Sequence, residues 1–228
     1  MTLLTPDRQL RQPDPARRRR PTAVLLVGAP LVMVAGRVLL VPYDHQDWNG
    51  MLDAMAAHRG RSDTGWLLAV AASGLLGLTA TLLARRLHDI GWHRTAGFGA
   101  ITTALGWAGC AGIATTALLV SGLAGSPDRP GQVNAMSEFN NGSSNIVYVM
   151  CLAGAVGYLV LSYGLGRSGS VSSGAAILIG LGGATTLLTM PGPVSPFLVL
   201  ASLLLTAGHV LALQPGRALP STAAGTPA

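Results

Sequence analysis

The sequence predicts an all-α fold: a polytopic membrane bundle of six transmembrane helices, both termini cytoplasmic, with a short amphipathic helix in the first outer loop. Three observations lead there. Half of the 228 residues are hydrophobic and 11% are charged, against about 25% charge in a soluble domain. The apolar residues gather into six runs, each near the roughly 20 residues a helix needs to cross the hydrocarbon core. There is no lysine, and eleven of the fifteen arginines fall in the N-terminal tail, the 85–97 linker, Arg167 and Arg217. Arg59, Arg61 and Arg129 fall in the alternate linkers, and Arg37 lies inside an apolar run. Basic residues mark the cytoplasmic side of a threaded chain.

Residues 1–21 are polar and end in Arg17-Arg18-Arg19-Arg20-Pro21, which predicts a disordered basic cytoplasmic tail that clamps lipid headgroups. The first helix spans about 22–42; the apolar run continues past the signal-like Val34-Ala35-Gly36 to Val41, so the helix is expected to stay uncleaved. Arg37 is expected to snorkel to the interface. The further helices are expected at about 65–84, 98–124, 145–165, 172–190 and 194–213, and residues 214–228 as a disordered C-terminal tail. Residues 22–213 thus form one transmembrane domain. Pro191-Gly192-Pro193 cannot continue a helix and predicts a tight turn between the last two. Glycines 180, 182 and 183 leave open a five-helix reading with a re-entrant hairpin, although membrane helices tolerate glycine.

Small residues at every fourth position in the third helix (Ala100, Ala104, Ala108, Gly112, Thr116) predict a packing seam, widened by Gly106 and Gly109. Ala69, Ser73 and Gly77 repeat the pattern in the second helix, and Gly154 and Gly157 in the fourth. Replacing Gly112 with Leu is expected to hurt folding. Cys110 and Cys151 both lie in apolar runs and read as small hydrophobes.

Three polar stretches hold the chemistry. The first outer loop carries Asp44, His45 and Asp47, with Asp53, His58 and Asp63 behind. Two carboxylates and an imidazole could bind a divalent cation, but the spacing matches no ligand motif. Asp47 or Asn49 capping a helix with Trp48, Met51, Leu52 and Met55 as an apolar stripe, and Gly60 ending it, explains the same residues. The second outer loop carries Glu138, Asn140 and Asn141; Asn141-Gly142 reads as a tight turn and Ser143 or Ser144 as the next helix cap. Together Asp44, His45, Asp47, Glu138, Asn140 and Asn141 are the candidate outer polar site. The third stretch, Arg85 to Arg94, reads as interfacial, with Arg85 and Arg86 on headgroup phosphate. His88 and His93 sit in this linker, and His209 near the inner end of the sixth helix.

No Asp, Glu or Lys falls within an apolar core, so the usual mark of proton relays and ion-coupled transport is missing. Nor is there a phosphate loop or a G-x-S-x-G nucleophile motif. The basic excess of +6 is explained by flanking arginines that meet lipid, and a nucleic-acid partner is not expected. No catalytic residue, metal or cofactor is assigned.

The layout resembles uncharacterised bacterial families of small six-helix integral membrane proteins: a basic N-tail, a first outer loop with a short helix (Trp48-Asn49-Gly50-Met51-Leu52-Asp53-Ala54-Met55), and a second outer loop (Asn140-Asn141-Gly142-Ser143-Ser144) before the fourth helix. The resemblance covers roughly residues 20–214. It implies a multi-pass fold in a bacterial cytoplasmic membrane and brings no substrate. The expected function is a non-enzymatic structural or accessory component. Its partners would be the lipid bilayer and a membrane protein or a second copy. The alternatives are a small-molecule binder or permease with an outward polar site, and a metal-dependent membrane enzyme using the outer Asp/His cluster.

Overall fold

The computed structural model describes residues 15–40, 47–189 and 196–213. Among them are eight helices and no strand: α1 (Pro15–Leu39), α2 (Trp48–Ala57), α3 (Arg59–Asp89), α4 (His93–Leu123), α5 (Arg129–Asn141), α6 (Ser143–Arg167), α7 (Ser173–Thr189) and α8 (Pro196–Ala212). Four segments are long and apolar enough to cross a membrane: Thr22–Leu39, Arg59–Asp89, His93–Leu123 and Ser144–Arg167. The chain is a membrane protein by that measure. The apolar helices α7 and α8 have 17 residues each, about 25 Å at 1.5 Å per residue, against a hydrocarbon core of about 30 Å.

Several boundaries differ from the expectation. Helix α1 begins at Pro15, so Arg17 to Arg20 belong to a helix and not to an irregular tail. Proline is suited to a first helical position, and arginine is a good helix former. Helix α2 has the expected cap, the Gly50 N–H donating to Asp47 Oδ1 at 2.9 Å, and the expected buried face of Met51, Leu52 and Met55. It ends at His58, before Gly60, and α3 starts at once. The early start is held by Arg61, whose Nε and Nη2 donate to the carbonyls of Leu39 and Val38, each at 3.0 Å. Those are orphan acceptors at the end of α1.

The 85–97 linker is mostly helical; residues 90–92 alone separate α3 from α4. Gly91 has φ +90° there, and the Trp92 N–H closes the turn on Leu87 O at 2.9 Å. The second outer loop contains α5, a 13-residue helix read as a loop from its Asn, Ser and Pro content. Asp128 caps it, accepting from the Gly131 N–H at 3.2 Å. Gly142 has φ −113° and is the single residue between α5 and α6. The cap position of α6 is therefore Gly142, and neither Ser143 nor Ser144 holds it. The Pro191–Pro193 turn lies outside the described residues.

Helices α1, α3, α4, α6, α7 and α8 each pack on the next, and α8 returns to α1, so the six close on themselves. Glycine contacts fix the senses. Gly36 meets Gly65, Gly106 meets Gly154, Gly183 meets Tyr158, and Gly208 meets Ile179, each between antiparallel neighbours. The polarity is that of a membrane bundle. Leu67, Leu78, Ile101, Leu119, Val149 and Ile177 are exposed, whereas Ser73, Thr79, Thr103, Thr186 and Ser202 are buried. Small and hydroxyl residues between helices let backbones approach and find local acceptors. Ser73 Oγ donates to Ala69 O at 2.8 Å, and Thr186 Oγ1 to Gly182 O at 2.6 Å.

The packing seam of α4 is not the expected one. Its buried positions are Ala96, Gly99, Thr103, Gly106, Trp107, Gly109, Cys110, Ala114, Ala117 and Ser121, so the expected Gly106 and Gly109 are among them. Ala104, Ala108 and Gly112 are exposed, and Ala100 and Thr116 are half-buried. Steps of four residues drift about 40° each around a helix of 3.6 residues per turn. Alternating steps of three and four stay on one face, and the buried row has that spacing. In α3, Ala69 and Ser73 are buried, and a Cβ on Gly77 would meet Trp107 Cβ at 4.0 Å.

Candidate functional site

Polar chemistry gathers in two places: a cap over one end of the bundle and the interior between the helices. The cap is made by α2 and α5. Met51, Leu52, Met55, Ala124 and Met136 form a small apolar core there, with Trp48, Val120 and Val133 against it. Arg129 at the start of α5 forms an ion pair with Asp53 of α2 and donates to Asn49 O at 3.2 Å. Gln132 Nε2 donates to Leu123 O at 2.7 Å, satisfying an orphan carbonyl at the end of α4. Ser121 Oγ donates to Asp63 at 2.5 Å, tying the end of α4 to the N-terminal part of α3.

The two outer loops of the sequence therefore meet, through α2 and α5. Of the candidate outer residues, Asp47 is exposed and caps α2. Glu138 is exposed and accepts from Asn134 Nδ2 at 3.3 Å within α5. Asn140 and Asn141 are in the last turn of α5, their side chains outside the described set, as are Asp44 and His45 altogether. His58 is exposed at the α2–α3 junction. Among the described residues no group of three or more His, Cys, Asp or Glu could hold a metal ion.

The interior holds groups that sequence reasoning placed elsewhere. Arg37 is 1% exposed. It does not snorkel, because it shares a helix face with Leu26, Met33 and Leu40, all buried; that spacing was the signal available. Cys110 of α4 and Cys151 of α6 are both free, with Sγ atoms 3.8 Å apart. The pairing was legible in part: if Gly106 faces Gly154 in antiparallel helices, residues 110 and 151 fall at almost the same level. One turn away Trp107 Nε1 donates to Tyr158 Oη at 3.1 Å, the rings edge to face at 89°. Thr79 of α3 also reaches Tyr158.

At the opposite end from the cap, His209 is fully buried. Arg86 is half-buried and donates to Ala212 O at 3.3 Å, so it serves the end of α8, while Arg85 is exposed. The side chains of Arg17 to Arg20 are outside the described set. His88 and His93 stack edge to face across the α3–α4 turn, ring centroids 4.3 Å apart.

Chemically, the cap residues hold helices to one another, and the interior offers two thiols in contact. Comparisons with protein-family models, with curated proteins and with solved structures find no significant match.

Proposed function

We propose that this chain is a six-span protein of a bacterial cytoplasmic membrane, both termini cytoplasmic, acting as a non-enzymatic structural or accessory component. The observation that carries this reading is how the acids of the cap are used. Asp47 and Asp128 cap helices, Asp53 pairs with Arg129, Asp63 accepts from Ser121, and Glu138 accepts from Asn134. Each has a local structural bond. The one-sided arginines and the antiparallel order of neighbouring helices support the topology, as does the resemblance to small six-helix bacterial membrane proteins. Its partners are lipid and a membrane protein or second copy.

Topology is tested by labelling intact cells with an impermeant maleimide. Ser126→Cys should label from outside and Ser170→Cys should not. Ser195→Cys labelling from outside supports two spans in α7 and α8; its protection supports a re-entrant hairpin and removes the six-span count.

The second reading, a small-molecule binder with an outward polar site, is favoured by the meeting of α2 and α5. A thermal-shift screen of the purified protein against divalent cations and small polar solutes separates the two. The structural reading expects no saturable shift. A saturable shift abolished by Asp47→Asn or Glu138→Gln would replace it with the binder.

A further inference from the structure

We propose that Cys110 and Cys151 form a membrane-embedded dithiol which a lipid-soluble quinone oxidises to a disulfide, cross-linking α4 to α6. The sulfurs are 3.8 Å apart, while a disulfide needs about 2.05 Å between sulfurs and Cα atoms within about 4.4–6.8 Å. The backbones are held close on both sides of the pair. A Cβ built on Gly154 would stand 2.5 Å from Gly106 Cα, and one on Gly109 would stand 3.1 Å from Met150 Cβ and 3.4 Å from Cys151 Sγ. Rotation of the two side chains is the movement that closes the gap between the sulfurs. The two residues are 41 apart in sequence, so the bond encloses the end of α4, all of α5 and the start of α6.

The site selects the class of oxidant. Cys110 and Cys151 are 0% and 1% exposed, and both lie within segments long and apolar enough to cross a membrane. A charged aqueous oxidant has no route to them. The lipid-facing side of α6 at this level is apolar and open, with Val149 and Leu152 exposed, so the two-electron acceptor that can approach α6 here is an apolar one dissolved in lipid. In the reaction two S–H bonds break and one S–S bond forms. The two electrons and two protons pass to the quinone carbonyl oxygens, giving one quinol.

The test uses the full chain in lipid vesicles, reduced with dithiothreitol and freed of reductant. A fully substituted short-chain benzoquinone is added, and thiols are counted by maleimide after denaturation. The expected result is loss of both thiols in a monomeric chain, an intact mass lower by two hydrogens, and one quinol per chain. Dithiothreitol should restore both thiols. Cys110→Ser and Cys151→Ser should each keep one thiol and form no quinol. If the small permeant oxidant diamide closes the bond and the quinone does not, the quinone assignment is overturned. If neither closes it, the dithiol itself is overturned, as it is by a mass increase corresponding to a quinone adduct.

Discussion

Gly106 of α4 and Gly154 of α6 meet backbone to backbone: a Cβ on Gly106 would lie 2.6 Å from Gly154 Cα. No side-chain rotation relieves such a contact, because the obstacle is main chain. Gly154→Ala must therefore push α4 and α6 apart, and the Leu187 side chain, 2.9 Å from the same added methyl, moves with them. Overpacking of this kind costs about 1–3 kcal/mol. Gly112→Ala adds its methyl where nothing lies within 4 Å. The melting temperature in detergent should fall for Gly154→Ala and rise slightly for Gly112→Ala, since alanine is the better residue inside a helix; an equal fall in both would contradict the assignment of the α4 seam.

That contrast shows what the sequence made legible. Six apolar runs and their order were readable because lipid demands long apolar segments, and small residues were readable as packing material. Which small residues face inward was legible only in part: Gly106 and Gly109 are buried as expected, whereas the four-residue stripe through Ala104, Ala108 and Gly112 is exposed, because small residues occur on more than one face of α4. Helix α5 was hidden by composition: Asn134, Ser137 and Asn140 suit a loop, while the stabilising partners of Val133 and Met136 come from α2, far away in sequence. Asp47 was legible as a cap because capping is local. Arg37 was misjudged because the cost of burying a cation argues for snorkelling, and only the shared face with Met33 and Leu40 argued otherwise.

Trp107 and Tyr158 give a second test. Both are buried, and the indole N–H donates to the phenol oxygen at 3.1 Å. Tyr158→Phe keeps the ring and its edge-on contact but leaves the indole N–H without that acceptor. Removing one partner of a buried bond costs about 1–3 kcal/mol in water-soluble proteins, and membrane bundles fall nearer about 0.6 kcal/mol. The variant should melt earlier by an amount in that lower range. Trp107→Phe combined with Tyr158→Phe should cost less than the sum of the two single changes. Additive losses would mean the bond contributes nothing.

The cap makes an asymmetric prediction. Asp53 is 74% exposed in its side chain and Arg129 is 29% exposed, and an exposed ion pair is worth about 0–1 kcal/mol. Asp53→Ala should therefore change stability little. Arg129→Ala also removes the donor to Asn49 O, leaving α5 tied to α2 through apolar contact alone. Hydrogen exchange should speed up in α2 and α5 more in Arg129→Ala than in Asp53→Ala. Equal rates in the two variants would assign the whole effect to the ion pair.

Gly91 and Gly97 isolate backbone conformation from packing. A Cβ at either position meets nothing within 4 Å, so sterics with neighbours cannot distinguish them. Gly91 has φ +90° in the turn between α3 and α4, a conformation that costs an L-residue about 1–2 kcal/mol. Gly97 lies inside α4 with ordinary helical geometry, where alanine is better than glycine by about 0.5–1 kcal/mol. The two substitutions should thus move the melting temperature in opposite directions, Gly91→Ala down and Gly97→Ala up. If Gly91→Ala were neutral, the three-residue turn at 90–92 would have to tolerate a different φ, and the bond from the Trp92 N–H to Leu87 O would be expected to break with it.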